Sequence, residues 1–356
     1  MSGDSTVSNS NKCTNVSGKS GFTKILPGIF LVIVIGLIAH FLGGEFPLIG
    51  GAVFAIVLGI LVKNYIGVPE RFNAGISYTL QKLLKLAIIL LGFGLSFSQI
   101  INLGMNSIII VVLSVSLGIL FTLYLAKLLG LEGNIPLLVG VGTGICGATA
   151  IATTGPVIKA KEEEIAYAVN TIFAFNVLAV MVYPFIGLAL SIPDHYFGIW
   201  AGAAIHDTSS VVAAGYAYSD QAGDASVVVK LIRTLMLVPV ALIISIYFSL
   251  KAKKNQNTNQ QGEVKISKIF PYKIFPYFIL IFAAAATFNT FFPLPETFIS
   301  ATNFTAKFII LMVMASVGLG TDFKKIKSVG VRPLIVGLTA SIMIGGISLV
   351  LIYMLF

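Results

Sequence analysis

His206-Asp207-Thr208-Ser209-Ser210 is an unbroken polar run, two of its side chains ionisable, set between Ala201-Gly202-Ala203-Ala204-Ile205 and Val211-Val212-Ala213-Ala214. In so apolar a setting, a charged side chain at bilayer depth costs about 2.5–3.5 kcal/mol even on insertion scales, so it marks a water-lined site or a partnered pair. Asp207 has the chemistry to bind a proton or a sodium ion, with His206 as a titrating neighbour or hydrogen-bond donor and Thr208 and Ser209 as oxygen ligands. The competing reading is a helix N-cap, in which Asp207 or Thr208 satisfies the first amides of a following half-helix.

A second run, Gly142-Thr143-Gly144-Ile145-Cys146-Gly147-Ala148-Thr149, interleaves hydroxyls and a thiol with glycines that let backbone approach a ligand. A half-helix starting there aims free N–H groups and a positive dipole end at the membrane centre, which suits an anion. Small residues also serve close helix packing in membranes, and that reading stands beside the first. Lys230 and Arg233 share a helical face by spacing and are candidates to neutralise Asp207 or hold an anionic substrate; the alternative is snorkelling to the interface. Asn170 and Asn176 are buried amides that either line the site or bond between helices.

The elements that must position these residues are membrane helices. The 356-residue chain is 57% hydrophobic and 10% charged, with a mean hydropathy of +0.97. Apolar stretches of spanning length fall at 25–42, 46–62, 81–101, 105–129, 135–158, 163–187, 196–217, 224–250, 272–292, 303–320 and 330–355. The fold class is therefore an all-α polytopic membrane protein with 10–11 membrane segments. Residues 1–24 read as a disordered polar tail and 25–356 as one transmembrane domain with a cytoplasmic linker at 251–270. The net charge of +9 sits mostly in loops, where membrane topology explains it, and nucleic-acid binding is not implied. Basic loops place the N-terminus inside and the C-terminus outside. Trp200, Tyr183 and Tyr196 fit the interfacial aromatic belt.

Segments 135–158 and 196–217 carry glycine, proline and small hydroxyl residues at a density that favours broken or re-entrant helices. A shift of 60 residues aligns Gly144-Ile145-Cys146-Gly147 with Ala204-Ile205-His206-Asp207, Glu164 with Asp224 and Asn170 with Lys230. A fainter echo pairs Gly94-Leu95 with Gly318-Leu319. If both broken segments return to the side they entered, the aligned units face opposite ways and form an inverted repeat.

Metalloprotease, nucleophile-elbow and Walker signatures are absent, so an enzyme is not expected. A thiol enzyme built on Cys146 with His206 lacks any recognisable oxyanion arrangement. Cys13 and Cys146 are expected as free thiols. No metal or cofactor is called for beyond a possible coupling proton or sodium ion.

The Gly142–Ile151 and His206–Gly215 runs resemble the signatures of the YeiH-type bacterial inner-membrane proteins described as sulfate exporters, and the likeness extends from about residue 25 onward. The resemblance implies ten or eleven helices in a bacterial inner membrane and a distant relationship to the bile-acid and sodium/proton transporters. It implies sulfate or a related oxyanion as substrate. The expected function is a secondary transporter of a small inorganic anion, working by alternating access and coupled to protons or sodium. A sodium-coupled importer of an organic carboxylate is the alternative. The expected partners are the lipid bilayer, a small anionic substrate and, optionally, a second copy of the chain.

Overall fold

A computed structural model describes residues 20–46, 50–131, 133–255, 276–292, 294–322 and 331–356. Residues 1–19 of the expected tail and most of the expected linker lie outside the described residues, as does Cys13. Ser20–Lys24, expected in the tail, already belong to the first helix.

The described residues form no strands. The helices are α1 (Ser20–Glu45), α2 (Gly51–Leu61), α3 (Asn73–Tyr78), α4 (Leu84–Gly92), α5 (Phe97–Leu128), α6 (Ile135–Gly144), α7 (Ala148–Val157), α8 (Glu162–Ala189), α9 (Asp194–Ala204), α10 (Thr208–Tyr218), α11 (Asp220–Leu235), α12 (Leu237–Asn255), α13 (Phe278–Phe291), α14 (Glu296–Gly320) and α15 (Val331–Leu355). Seven continuous helices are long and apolar enough to cross a membrane, while Gly51–Ile66 and α13 are shorter apolar helices.

Boundaries differ most from the sequence reading at three helix starts. The expected span 81–101 is instead a helix over Glu70–Gly92, with a π turn at Thr79–Leu83 joining α3 to α4, so Lys82 and Lys85 lie mid-helix rather than at its start. The chain then turns, and α5 starts early because Ser96 and Gln99 form a reciprocal capping box. The helix expected at 303–320 begins at Glu296, immediately after Pro295, whose missing N–H suits a helix start.

The broken segments are both hairpins. At the first, Asn134, just ahead of α6, donates its backbone N–H and side-chain Nδ2 to the two carboxylate oxygens of Glu164 at 3.0 Å each, and Glu164 lies in the first turn of α8. A straight crossing from 135 to 158 would part those residues by more than roughly 30 Å. The legs press together inside: a Cβ added to Gly142 would lie 2.7 Å from Ile151 Cδ1. At the second, Tyr218 at the end of α10 donates its hydroxyl to Ile192 O, ahead of α9, at 2.5 Å, and its ring stacks on Phe197 at 3.9 Å between centroids.

Because α8 runs from the base of the first hairpin to the base of the second, the hairpins enter from opposite faces. Gly187 near the end of α8 packs against Phe197 and Tyr218, where a Cβ would meet either ring below 3 Å. Hairpin plus following helix therefore occurs twice, inverted, with the breaks 60 positions apart as the sequence echo placed them. One face carries Lys24, Lys63, Arg71, Lys127, Lys159 and Lys161 at its helix ends; the other carries Glu45, Asp194, Asp220 and Glu296.

Two apolar cores organise the helices. The first joins α1 to α4, α13 and α14 and reaches one flank of α8, α10 and α11. The second joins α5, α6, α7, α9, α12 and α15 to the other flank. Within the first core glycines set the helix distances: a Cβ on Gly59 would lie 2.5 Å from Ala315 O and 2.9 Å from the Cα of Gly318, so these backbones touch.

Candidate functional site

The hairpins break where glycine or a capping side chain permits it. Helix α6 ends at Gly144, and Gly147 adopts φ 62° and ψ −129°, a region that residues with a Cβ rarely adopt; its N–H closes back on Gly142 O at 2.9 Å. Pro136 sits in the first turn of α6 and Pro156 in the last turn of α7, so the prolines that the sequence reading credited with breaking this helix do not cause the break. In the second hairpin Ile205 and Asp207 are extended, and Asp207 caps α10 by accepting from Ser209 N at 2.9 Å and from the Ser209 hydroxyl. The N-cap reading of Asp207 is therefore realised.

The two tips meet at α8 and α11. Asn176 of α8 accepts the backbone N–H of Asp207 on Oδ1 at 3.1 Å, and a Cβ added to Gly147 would lie 3.7 Å from Asp207 Cβ and 3.8 Å from Asn176 Nδ2. From α11, Lys230 Nζ donates to Ile145 O and Ile205 O at 2.9 Å each and to His206 O at 2.5 Å. Arg233 donates to Gly144 O at 2.8 Å, Ile205 O at 2.9 Å and Thr143 O at 2.6 Å. Both side chains are wholly buried.

Neither cation snorkels, and neither reaches the Asp207 carboxylate among the described contacts. They neutralise the carbonyl ends of α6 and α9, where a helix presents unsatisfied acceptors and about half a negative charge. Three carbonyl oxygens around Lys230 Nζ match the three donors of an ammonium group.

His206 and Asp207 diverge even though the backbone is unwound between them. The His206 ring faces α15, with Nε2 2.6 Å from Ser341 Oγ, and Ser341 Oγ donates to Gly337 O at 2.7 Å. A serine hydroxyl has one proton, so His206 is the donor from Nε2 in this pair. The Thr143 hydroxyl bonds back to Val139 O within its own helix. Cys146 is a buried free thiol at the first tip. At the starts of α7 and α10, Ala148 and Thr208 are half-buried and Thr149 is exposed, while Gly147 and Ser209 are buried. Asn170 is half-buried about 9 Å back along α8 and has no described hydrogen bond to either hairpin.

Residues 27–337 match the family described as Conserved hypothetical protein 698. The chain belongs to this family. It is 38% identical to a UPF0324 membrane protein of Clostridium tetani over 322 residues, which cover 89% of this chain and 93% of the relative. A UPF0324 membrane protein of Streptococcus mutans is 39% identical over 328 residues, 91% of this chain and 95% of the relative. A Fusobacterium nucleatum relative of the same name is 38% identical, covering 88% and 93%. The match takes in both hairpins, α8, α11 and the first residues of α15 with Gly337, so the whole meeting point except Ser341 lies inside the family region.

Sequence reasoning missed Ser341 and the base pair Asn134–Glu164. Ser341 sits in an ordinary apolar helix and gives no local signal. The alignment of Glu164 with Asp224 did carry one: each carboxylate fastens a leg of its own hairpin, Glu164 to Asn134 and Asp224 to the Tyr216 hydroxyl at 2.5 Å. Trp200, expected at the interface, is 3% exposed, stacks on Tyr183 at 4.5 Å and donates Nε1 to Gly345 O at 2.8 Å. Its indole finds a buried acceptor and so needs no interfacial water.

Proposed function

We propose that this membrane protein is a secondary transporter of a small inorganic anion, sulfate or sulfite first, probed most directly as export coupled to protons or sodium. The observation that carries the reading is the charge balance where the hairpins meet. Lys230 and Arg233 bring two positive charges and Asp207 one negative. The carbonyl ends of α6 and α9 and the amide ends of α7 and α10 contribute about half a charge each, with opposite signs that cancel. One positive charge is left over in the centre of an apolar fold, and an anion is the partner that balances it.

A monoanion balances the site alone. A dianion such as sulfate balances it with one co-bound proton or sodium ion, which gives Asp207, and His206 behind it, a coupling role. The same sum supports the second reading, a sodium-coupled importer of an organic carboxylate. Inverted hairpins give alternating access its usual architectural basis, with the second core moving against the first. Placing the basic face inside puts the N-terminus in the cytoplasm and the C-terminus outside. The resemblance to proteins described as sulfate exporters ranks sulfate and sulfite first among the oxyanions.

The test is uptake and efflux of radiolabelled sulfate in proteoliposomes with imposed proton or sodium gradients, comparing the parent with Asp207→Asn. Asparagine keeps an acceptor for Ser209 N but removes the charge. Gradient-driven flux in the parent and gradient-independent flux in the variant are expected. Flux in both that ignores every gradient sinks the coupling role, and absence of flux for all oxyanions and carboxylates tried sinks the transport reading.

A further inference from the structure

Glycines show which helices are locked together. Wherever a Cβ added to a described glycine would come within 3.0 Å of a neighbour, that neighbour lies on the same side of one dividing seam. On one side are α1 to α4, α13 and α14: Gly28 presses on Gly75, Gly59 on Gly318, and a Cβ on Gly92 would lie 2.7 Å from Phe282 O. On the other are α5 to α11 and α15: Gly144 presses on Ile119, Gly118 on Ile344, and a Cβ on Gly198 would lie 2.6 Å from Ala222 O. Across the seam a Cβ on Gly50 would meet Ala217 at 3.5 Å, and one on Gly320 would meet Phe173 at 3.7 Å. These are ordinary contact distances, and surfaces that touch without interlocking can slide.

Two described hydrogen bonds cross the seam. Phe97 N donates to Thr290 Oγ1 at 2.8 Å, beside the turn from α4 to α5 where the chain itself crosses. The second is charged: Lys307 of α14 donates to Asp220, the first residue of α11, at 2.7 Å. Lys307 Nζ also lies 5.7 Å from the centroid of the Tyr216 ring in α10. Around this pair the two surfaces part to leave a cavity of about 380 Å³, with His40, Gly44, Phe304 and Lys307 on one wall and Tyr216 and Asp220 on the other. An ion pair whose side chains are 41% and 76% exposed holds weakly, so it can break while the interlocked helices on either side stay together.

We propose that Lys307 and Asp220 form a latch across a sliding seam. Paired, they hold the corner between α10 and α11 against α14; released, they let the two bodies shift and the cavity open at the acidic face. This goes beyond the anion-transport reading by naming the contact that selects between the two arrangements such a transporter alternates between.

The experiment is labelling of a reporter thiol, Ala217→Cys, which faces Gly50 across the seam, in the purified full chain carrying Cys13→Ser. N-ethylmaleimide is the reagent because it is uncharged, and protein without the reporter gives the background from Cys146. Lys307→Asp gathers its own carboxylate with those of Asp220 and Asp224 at this corner, and labelling should accelerate about tenfold. A carboxylate beside a thiol disfavours the thiolate and by itself slows labelling, so local charge does not account for a gain. The swap of Lys307→Asp with Asp220→Lys restores the tie and should bring the rate back to within about threefold of the parent. Both variants should melt with the parent, because the fold does not rest on an exposed pair.

Labelling of Lys307→Asp at the parent's rate overturns the latch, and so does an acceleration that the swap fails to reverse. The readout needs no substrate, so either result leaves the transport reading standing, and absence of flux in proteoliposomes leaves the latch standing.

Discussion

Replacing Lys230 by methionine tests the central claim that this lysine is the clamp between the hairpin tips. Methionine matches the length and packing of the side chain and removes only the ammonium. Three buried carbonyls, those of Ile145, Ile205 and His206, then lose a charged donor at 2.9, 2.9 and 2.5 Å. An unsatisfied buried acceptor costs about 1–3 kcal/mol, and breaking a buried charged arrangement by removing one partner about 3–5 kcal/mol. Relief from burying the ammonium itself offsets part of this, so about 3 kcal/mol is expected against opening of the tips. Cys146, at the first tip and 3% exposed, reports that opening directly. In a Cys13→Ser background, maleimide labelling of Cys146 in the native protein should accelerate about 100-fold in Lys230→Met, since each 1.4 kcal/mol is a factor of about ten when labelling proceeds through a pre-equilibrium. Thr305→Val, on α14 and bonded only within its own helix, should leave the rate unchanged. Equal labelling of Lys230→Met and the parent would refute the clamp.

Glu164→Ala removes three hydrogen bonds at the base of the first hairpin, to Asn134 N, Asn134 Nδ2 and Lys161 N. A loss of about 1.5–3 kcal/mol is expected, seen as faster hydrogen exchange at 134–138 and 161–165 with Cys146 labelling little changed. Glycine positions should divide sharply by what a Cβ meets. Gly59→Ala drives a methyl into the α14 backbone and should cost about 1–3 kcal/mol in thermal unfolding, whereas Gly44→Ala, with nothing within 4 Å, should be neutral or stabilising by about 0.5–1 kcal/mol. Lys307→Gln breaks the 2.7 Å pair with Asp220, but both groups are substantially exposed, so a stability change below about 1 kcal/mol is expected.

Several layers of this protein were legible from sequence. Hydrophobic stretches of spanning length fixed an all-helical membrane fold, because lipid leaves the backbone no other way to satisfy its polar groups at low cost. The polar interruption at His206-Asp207 and the glycine-rich run at Gly142–Thr149 located both breaks, and the shift of 60 residues related them. His206 and Asp207 turn to different partners, Ser341 and Ser209: adjacency along the chain says nothing about side-chain direction at an unwound point. Lys230 and Arg233 were found, but their partners were not, since any carbonyl looks the same in a sequence.

What tertiary structure alone decided was direction and partnership. Whether a broken segment crosses or returns depends on which ends lie together, and that is set by Asn134 with Glu164 and by Tyr218 with Ile192, contacts between positions about 30 residues apart. The sequence determined that charge would be buried. Packing determined that the cations serve the negative ends of α6 and α9, that Asp207 serves the positive end of α10, and that α7 starts at a glycine with no side chain to do the same. Composition sets how much charge enters a membrane; three-dimensional proximity sets which groups that charge meets there.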